Sequence, residues 1–182
     1  NGSLAYLHSK REGSSYRLPL SAGEPEEDRI NPLNIADRKR DKLRAMLEWS
    51  PTEKLGFQFA IEDARDDYGR GPGPFGLQDG TARLYAVDAS YQLSSDWQIH
   101  AWFSRDETKA NELTERVSGS APSTYAYKRN DLKETGDSFG LGVRGKVFGK
   151  LKVGGDVEQF RSVNEYKQSL TLFGGTTVFP TS

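Results

Sequence analysis

Gly140-Leu141-Gly142-Val143-Arg144-Gly145 has the G-x-G-x-x-G spacing of a dinucleotide-binding turn. That chemistry needs a strand, a tight turn and a helix N-terminus to hold a pyrophosphate. Here the glycines occupy the polar parity of an alternating run, so the match is read as accidental. His8 and His100 are the only histidines, and two separate imidazoles make neither a zinc site nor a bis-histidine haem site. The acidic run Glu24, Glu26, Glu27, Asp28 and the pair Asp66-Asp67 offer oxygen ligands without the spacing of a calcium loop, and are read as solvated loop. No nucleophile elbow or other catalytic spacing is present. Cysteine is absent, which removes disulfides, thiolate metal sites, thiol nucleophiles and the attachment point for c-type haem. The expectation is a chain that is not an enzyme and binds no cofactor or metal itself; any redox cofactor must sit on another chain.

The composition points away from several other classes. Twenty-five basic residues against 26 acidic give a net charge of −1, so there is no electrostatic case for a nucleic-acid partner. No apolar run approaches the roughly 18 residues of a transmembrane helix. A charged fraction of 28% and a mean hydropathy of −0.73 leave little apolar surface for a core of the chain's own. A β-barrel that turns its apolar stripe outward tolerates that composition. The sequence starts at Asn1, carries one methionine, Met46, and shows no secretory leader. Its last residues, from Gly174 to Ser182, read as loop and not as a closing strand. The expectation is therefore one segment of a single barrel domain over residues 1–182, with the barrel not closed within it.

Two-residue alternation is the dominant pattern. Leu43, Ala45, Leu47 and Trp49 interleave with Lys42, Arg44, Met46 and Glu48, so one face is apolar and the other largely charged. Leu43, Met46 and Leu47 also fall at helical spacing. The strand is preferred because Leu55, Phe57, Phe59 and Ile61 alternate directly after Ser50-Pro51-Thr52-Glu53-Lys54, which makes a hairpin. Tyr85, Val87, Ala89 and Tyr91 turn at Ser94-Ser95-Asp96 and return as Trp97, Ile99, Ala101 and Phe103. Phe139, Leu141, Val143 and Val147 pass through Phe148-Gly149-Lys150 into Leu151, Val153 and Val157. Residues 3 to 11 alternate weakly and predict a strand without assigned faces. Glu12 to about Arg40, Gly69 to Gly80 and about Glu107 to Thr135 are polar or rich in Gly and Pro and predict long loops.

Short turns at one end and long loops at the other are the arrangement of an antiparallel, up-and-down transmembrane β-barrel, with about seven strands in this chain. Trp49, Tyr91 and Trp97 share the apolar parity beside short turns, where a membrane aromatic girdle belongs. Trp102 does not fit the girdle, since it shares parity with Gln98 and His100; either it faces the lumen or the register slips there. A soluble antiparallel sheet, acting as a binding protein, alternates in the same way. Against it stand charges deep within the strands, at Lys42, Arg44, Glu48, Arg144, Lys146, Lys152, Asp156 and Glu158. A general diffusion porin shares every one of these periodicities.

Ile30-Asn31-Pro32-Leu33-Asn34-Ile35-Ala36-Asp37-Arg38-Lys39-Arg40-Asp41-Lys42-Leu43-Arg44, followed by Trp49-Ser50-Pro51-Thr52-Glu53-Lys54-Leu55, resembles the MtrB/PioB family of decahaem-associated outer-membrane barrels. So do Ala64-Arg65-Asp66-Asp67-Tyr68 and Gly136-Asp137-Ser138-Phe139-Gly140-Leu141-Gly142. The resemblance covers most of residues 3 to 182 and fits an internal segment of a longer barrel. Some family members carry an N-terminal Cys pair, which this sequence lacks. The resemblance implies a porin-like sheath in the bacterial outer membrane that encloses a periplasmic decahaem c-type cytochrome and supports extracellular electron transfer. Haem c would then belong to the partner. An extracellular multihaem cytochrome is the further partner that the resemblance admits, alongside outer-membrane lipid. Arg44, Glu48, Gln58, Glu62, Asp88, Arg144 and Lys146 would face the lumen and the enclosed protein.

Overall fold

The computed structural model describes residues 1–13, 30–31, 37–69, 75–117, 126–172 and 175–179. Among them there is no helix. The strands are β1 (Gly2–Arg11), β2 (Ile30–Asn31), β3 (Arg38–Trp49), β4 (Leu55–Tyr68), β5 (Phe75–Gln92), β6 (Trp97–Val117), β7 (Ala126–Val147), β8 (Leu151–Leu172) and β9 (Gly175–Phe179). They form one sheet in the order β1-β3-β4-β5-β6-β7-β8-β9, every neighbour antiparallel, with β2 pairing parallel to β5. Seven of them, β1 and β3 to β8, are the up-and-down strands that the alternation predicts.

Helical spacing in Asp37 to Trp49 does not prevail. This segment pairs from Arg38 to Leu47 with β1 on one side and from Arg38 to Trp49 with β4 on the other, and the ladder outweighs the modest helix preference of its Arg, Lys and Leu residues. The short turns are built from local chemistry. Thr52 Oγ1 accepts the N–H groups of Lys54 and Leu55 at 3.3 and 3.1 Å. Ser94 Oγ accepts the Asp96 N–H at 3.3 Å. Phe148 and Gly149 both adopt positive φ, 52° and 68°, as the two central positions of a type I′ turn require.

The strands run further than the apolar alternation. Strand β5 begins at Phe75, inside the Gly69–Gly80 stretch expected as loop. Strand β6 continues to Val117 and β7 starts at Ala126, so most of the Glu107–Thr135 loop expectation is corrected to paired strand. The reason is solvation: a strand with water on both faces needs no apolar parity, while its backbone ladder continues unchanged. Strand β3 likewise starts at Arg38 and the short β2 lies within the Glu12–Arg40 loop expectation, whose remaining middle part lies outside the described residues. The loop expected from Gly174 onward is also corrected, because Gly175–Phe179 pairs with β8 from Gln168 to Leu172.

Register places the apolar residues in one staggered band. Moving away from the short turns, the unbroken apolar run on that face ends at Tyr6, Leu43, Ile61, Tyr85, Phe103, Phe139 and Val157 on β1, β3, β4, β5, β6, β7 and β8, with Val163 standing apart beyond it on β8. Tyr6 is opposite Leu43, Ile61 opposite Tyr85, and Phe103 opposite Phe139. Between those pairs the edge drops by two residues, because Leu43 faces Asp63, Tyr85 faces Arg105, and Phe139 faces Gln159. Six strand steps thus accumulate a shift of six residues. At about 3.3 Å per residue and 4.8 Å per strand, a level boundary requires strands tilted by about 35°, the inclination of outer-membrane barrels.

Candidate functional site

The functional surfaces are the two faces of the sheet. On one face, Leu43, Leu47 and Trp49 stand beside Phe57, Phe59 and Ile61, followed by Tyr85, Val87 and Tyr91, then Ile99 and Phe103, then Phe139, Leu141 and Val143. These residues have no cover: Ile61 is 51% exposed, Phe139 52%, Leu141 58% and Val157 77%. The buried hydrophobic residues among those described are only Ala64 and Tyr68. An apolar surface this continuous belongs in lipid, since water would drive it to aggregate. Trp49 stacks on Phe57 with ring centroids 5.5 Å apart, and Phe57 on Phe59 at 6.1 Å. The band ends in a collar of charge on the same face: Asp41, Asp63, Arg83, Arg105, Asp137 and, one position beyond Gln159, Arg161. Arg83 Nε donates to Asp63 at 2.8 Å, and Arg105 lies 3.5 Å from Asp137. Further out, Lys133 bridges Glu165 at 2.8 Å and Glu107 at 3.8 Å. The hydrogen bond from Lys133 holds Glu165 below the usual carboxylate range, and the same bond holds Lys133 above its ordinary value. Both therefore stay charged near neutrality, as a water-exposed extension requires.

The opposite face is largely polar, with Met46, Trp102, Leu132 and Phe160 among the isolated apolar residues on it. Arg40 donates through Nε and Nη2 to the two oxygens of Asp66, each at 2.6 Å, and Asp66 is almost wholly buried by that clamp. Lys42 and Arg44 both pair with Glu62. Ser138 Oγ donates to Glu158 at 2.6 Å. Tyr166 Oη and Gln168 Nε2 both donate to Asn130 Oδ1, at 2.8 and 3.1 Å.

Glycines shape this face. A Cβ on Gly140 would lie 2.1 Å from Cζ2 of Trp102, and one on Gly142 would lie 2.4 Å from the His100 ring and 2.0 Å from Asp156 Oδ1. The two rings stack, with centroids 5.6 Å apart and planes 14° from parallel, and lie over the bare backbone of β7. His100 Nε2 reaches across Gly142 to Asp156 on β8 at 2.8 Å. The G-x-G-x-x-G stretch is thus extended strand, with Gly140 and Gly142 seating rings. Gly145 departs from the expected parity: it lies on the apolar face opposite Trp97, whose ring occupies the position of its missing side chain.

The expected site residues sort by face. Trp49, Tyr91 and Trp97 all lie on the apolar face at the short-turn end. Arg44, Glu48, Gln58, Glu62, Asp88, Arg144 and Lys146 all lie on the polar face, together with Trp102. The structure joins Arg44 to Glu62 and leaves Arg144 and Lys146 apart from them, next to Lys152. His8 and His100 fall on opposite faces, each bonded to an aspartate, Asp41 at 2.7 Å and Asp156 at 2.8 Å. The ring seats at Gly140 and Gly142 escaped the sequence reading. The signal was present as glycines directly opposite Trp102 and His100, but it becomes visible only once register is known.

These features meet comparison with known proteins. The family model for the outer membrane beta-barrel porin, MtrB/PioB, matches residues 1–181. A stretch of 96 residues, 53% of this chain, is 26% identical to outer membrane protein MtrB of Shewanella baltica (strain OS185) and covers 14% of that protein's length. The chain thus spans a small part of the relative it matches. An exposed apolar band on tilted antiparallel strands, a polar opposite face and this match over nearly the whole sequence lead to one assignment: the chain belongs to the MtrB/PioB family and is a piece of outer-membrane β-barrel wall.

Proposed function

We propose that this wall is part of a porin-like sheath that holds a periplasmic multihaem c-type cytochrome and supports electron transfer across the outer membrane. The sheet has two edge strands, β1 and β9, that do not pair with each other. Unpaired strand edges are not tolerated in lipid, so in this proposal the seven crossings join further strands to close a larger barrel. The apolar face meets lipid, with Trp49, Tyr91 and Trp97 at the level of the headgroups. The polar face, carrying Arg44, Glu48, Gln58, Glu62, Asp88, Arg144 and Lys146, meets the occupant of the lumen. The haem belongs to that occupant, and the protein wall insulates and positions it. An extracellular multihaem partner would dock on the strand extensions beyond the charged collar.

The observation that carries the reading is the flatness of the polar wall. Trp102 and His100 lie over Gly140 and Gly142, and Arg40, Lys42 and Arg44 are tied down along the sheet by Asp66 and Glu62. A wall of this kind clears space for a bulky folded plug, whereas a general diffusion porin gains its selectivity from side chains and loops that narrow the path. The test is purification of the protein from detergent-solubilised outer membranes, with a haem stain and visible spectrum of what accompanies it. A c-type spectrum at fixed ratio to the barrel is the expected result. A haem-free barrel that conducts ions would replace the proposal with an ordinary porin.

A further inference from the structure

The polar face does not distribute its charge evenly. On β3 each polar-face cation has a carboxylate: Arg38 and Arg40 meet Asp66, and Lys42 and Arg44 meet Glu62. On β7 and β8 beside the Phe148–Lys150 turn, three cations share the same face without one. Among the described residues no carboxylate lies within 4.0 Å of Arg144, Lys146 or Lys152. Asp156, the carboxylate nearby on β8, is taken by His100. Lys146 and Lys152 stand directly opposite each other in register, a like-charge cross-strand pair that is unfavourable by itself. Arg144 lies two residues along on β7, its stem over Gly154, where a Cβ would come within 3.2 Å of its Cγ. The three cations line an open cavity of about 550 Å³ with Gln92 and Gln98, and Asp96 and Asp156 border the same cavity without coming within 4.0 Å of any of the three.

We infer that Arg144, Lys146 and Lys152 are a docking site for an acidic surface of the protein held in the lumen, at the short-turn end of the barrel. The inference rests on the proposed lumenal occupant. It adds which sector of the wall holds that occupant and by what chemistry. An acidic surface supplies the counter-charge that the opposed lysines lack. Lipid phosphates cannot supply it, because these side chains are on the face opposite the exposed apolar band. A protein surface suits the site better than one small anion, since the cations are spread over two strands around an open cavity. Glu48 and Asp88, with Gln58 and His100, line a separate cavity of about 360 Å³ on β3 to β6 and have no cation within ion-pair distance among the described residues. The two sectors carry opposite charge, so they admit the occupant in one rotational setting.

The test uses the protein in its complex, extracted from outer membranes in detergent, and measures haem protein retained across a salt series. Three variants are compared with wild type: R144E/K146E/K152E, the neutral R144Q/K146Q/K152Q, and K54E, which alters charge in the short turn between β3 and β4. At about 0.15 M salt the Glu triple is expected to retain roughly tenfold less haem protein, with the Gln triple intermediate and K54E unchanged. Wild-type retention is expected to fall with salt, and the Gln triple to lose most of that dependence. If both triples retain haem protein with the wild-type salt profile, the docking site is overturned while the sheath stands. If wild type retains no haem protein at any salt, the sheath proposal falls and takes the docking site with it. Heat-modifiable migration on gels reports barrel assembly, and if the Glu triple does not assemble, the Gln triple settles the matter by the same criteria.

Discussion

At the scale of single residues, the wall is shaped by what is missing as much as by what is present. Gly140 and Gly142 leave the backbone of β7 bare, and the rings of Trp102 and His100 occupy the gap. Gly155 is different, because nothing lies within 4 Å of the position its side chain would take. Gly140→Ala is therefore expected to destabilise the barrel by about 1–3 kcal/mol and to displace Trp102 into the lumen. Gly155→Ala is expected to change stability by less than about 0.5 kcal/mol. Urea unfolding in detergent with tryptophan fluorescence checks both, and equal effects at the two glycines would contradict the ring-seat account. The sequence shows these glycines clearly, yet their purpose depends on partners about forty residues away along the chain. A motif search reads neighbours in sequence, whereas Gly140 and Trp102 are neighbours only in register.

At the scale of strands, two regimes meet. Below the charged collar the strands alternate because lipid lies on one side, and that part was legible: the short turns, the hairpins and both parities of β3 to β8 follow from period two alone. Above the collar the same strands continue with mostly polar residues on both faces and no apolar alternation, and sequence reading mistakes much of them for loop. Strands β6, β7 and β8 reach 21, 22 and 22 residues, about twice the 9–11 that a bilayer crossing needs. Nothing in the local composition of Glu107 to Val117 distinguishes a solvated strand from a solvated loop, since what defines it is pairing with Ala126 to Thr135. Leu141→Arg, inside the band, is expected to cost about 2–4 kcal/mol of barrel stability in lipid, and Asp131→Arg, on the same face of β7 beyond the collar, about 0–1 kcal/mol. Folding titrations into lipid vesicles measure both. Equal costs would mean that the collar does not mark the edge of the bilayer.

At the scale of the whole molecule, the apolar edge, the strand tilt and the charge layout of the polar face describe one object. The edge descends by one residue per strand on average, and strands inclined by about 35° to the barrel axis make that edge level. The aromatic residues Trp49, Tyr91 and Trp97 descend with it on the apolar side, and the residues expected to line the lumen gather on the other. Face assignment was legible from parity, whereas the pairing of Arg44 with Glu62 and the isolation of Arg144, Lys146 and Lys152 were not, because parity fixes the face of a charge but not its neighbours. The most direct test of the central claim, that one face meets lipid only as far as the collar, is a single-cysteine scan of β6. This chain has no cysteine to interfere. Each site from Gln98 to Leu113 would carry a fluorophore, quenched either from lipid-borne nitroxide or from water. Lipid quenching is expected at Ile99, Ala101 and Phe103, not at Gln98, His100 or Trp102, and at no position from Arg105 outward. Lipid quenching on the polar parity, or continuing through Glu107 and Lys109, would contradict the account.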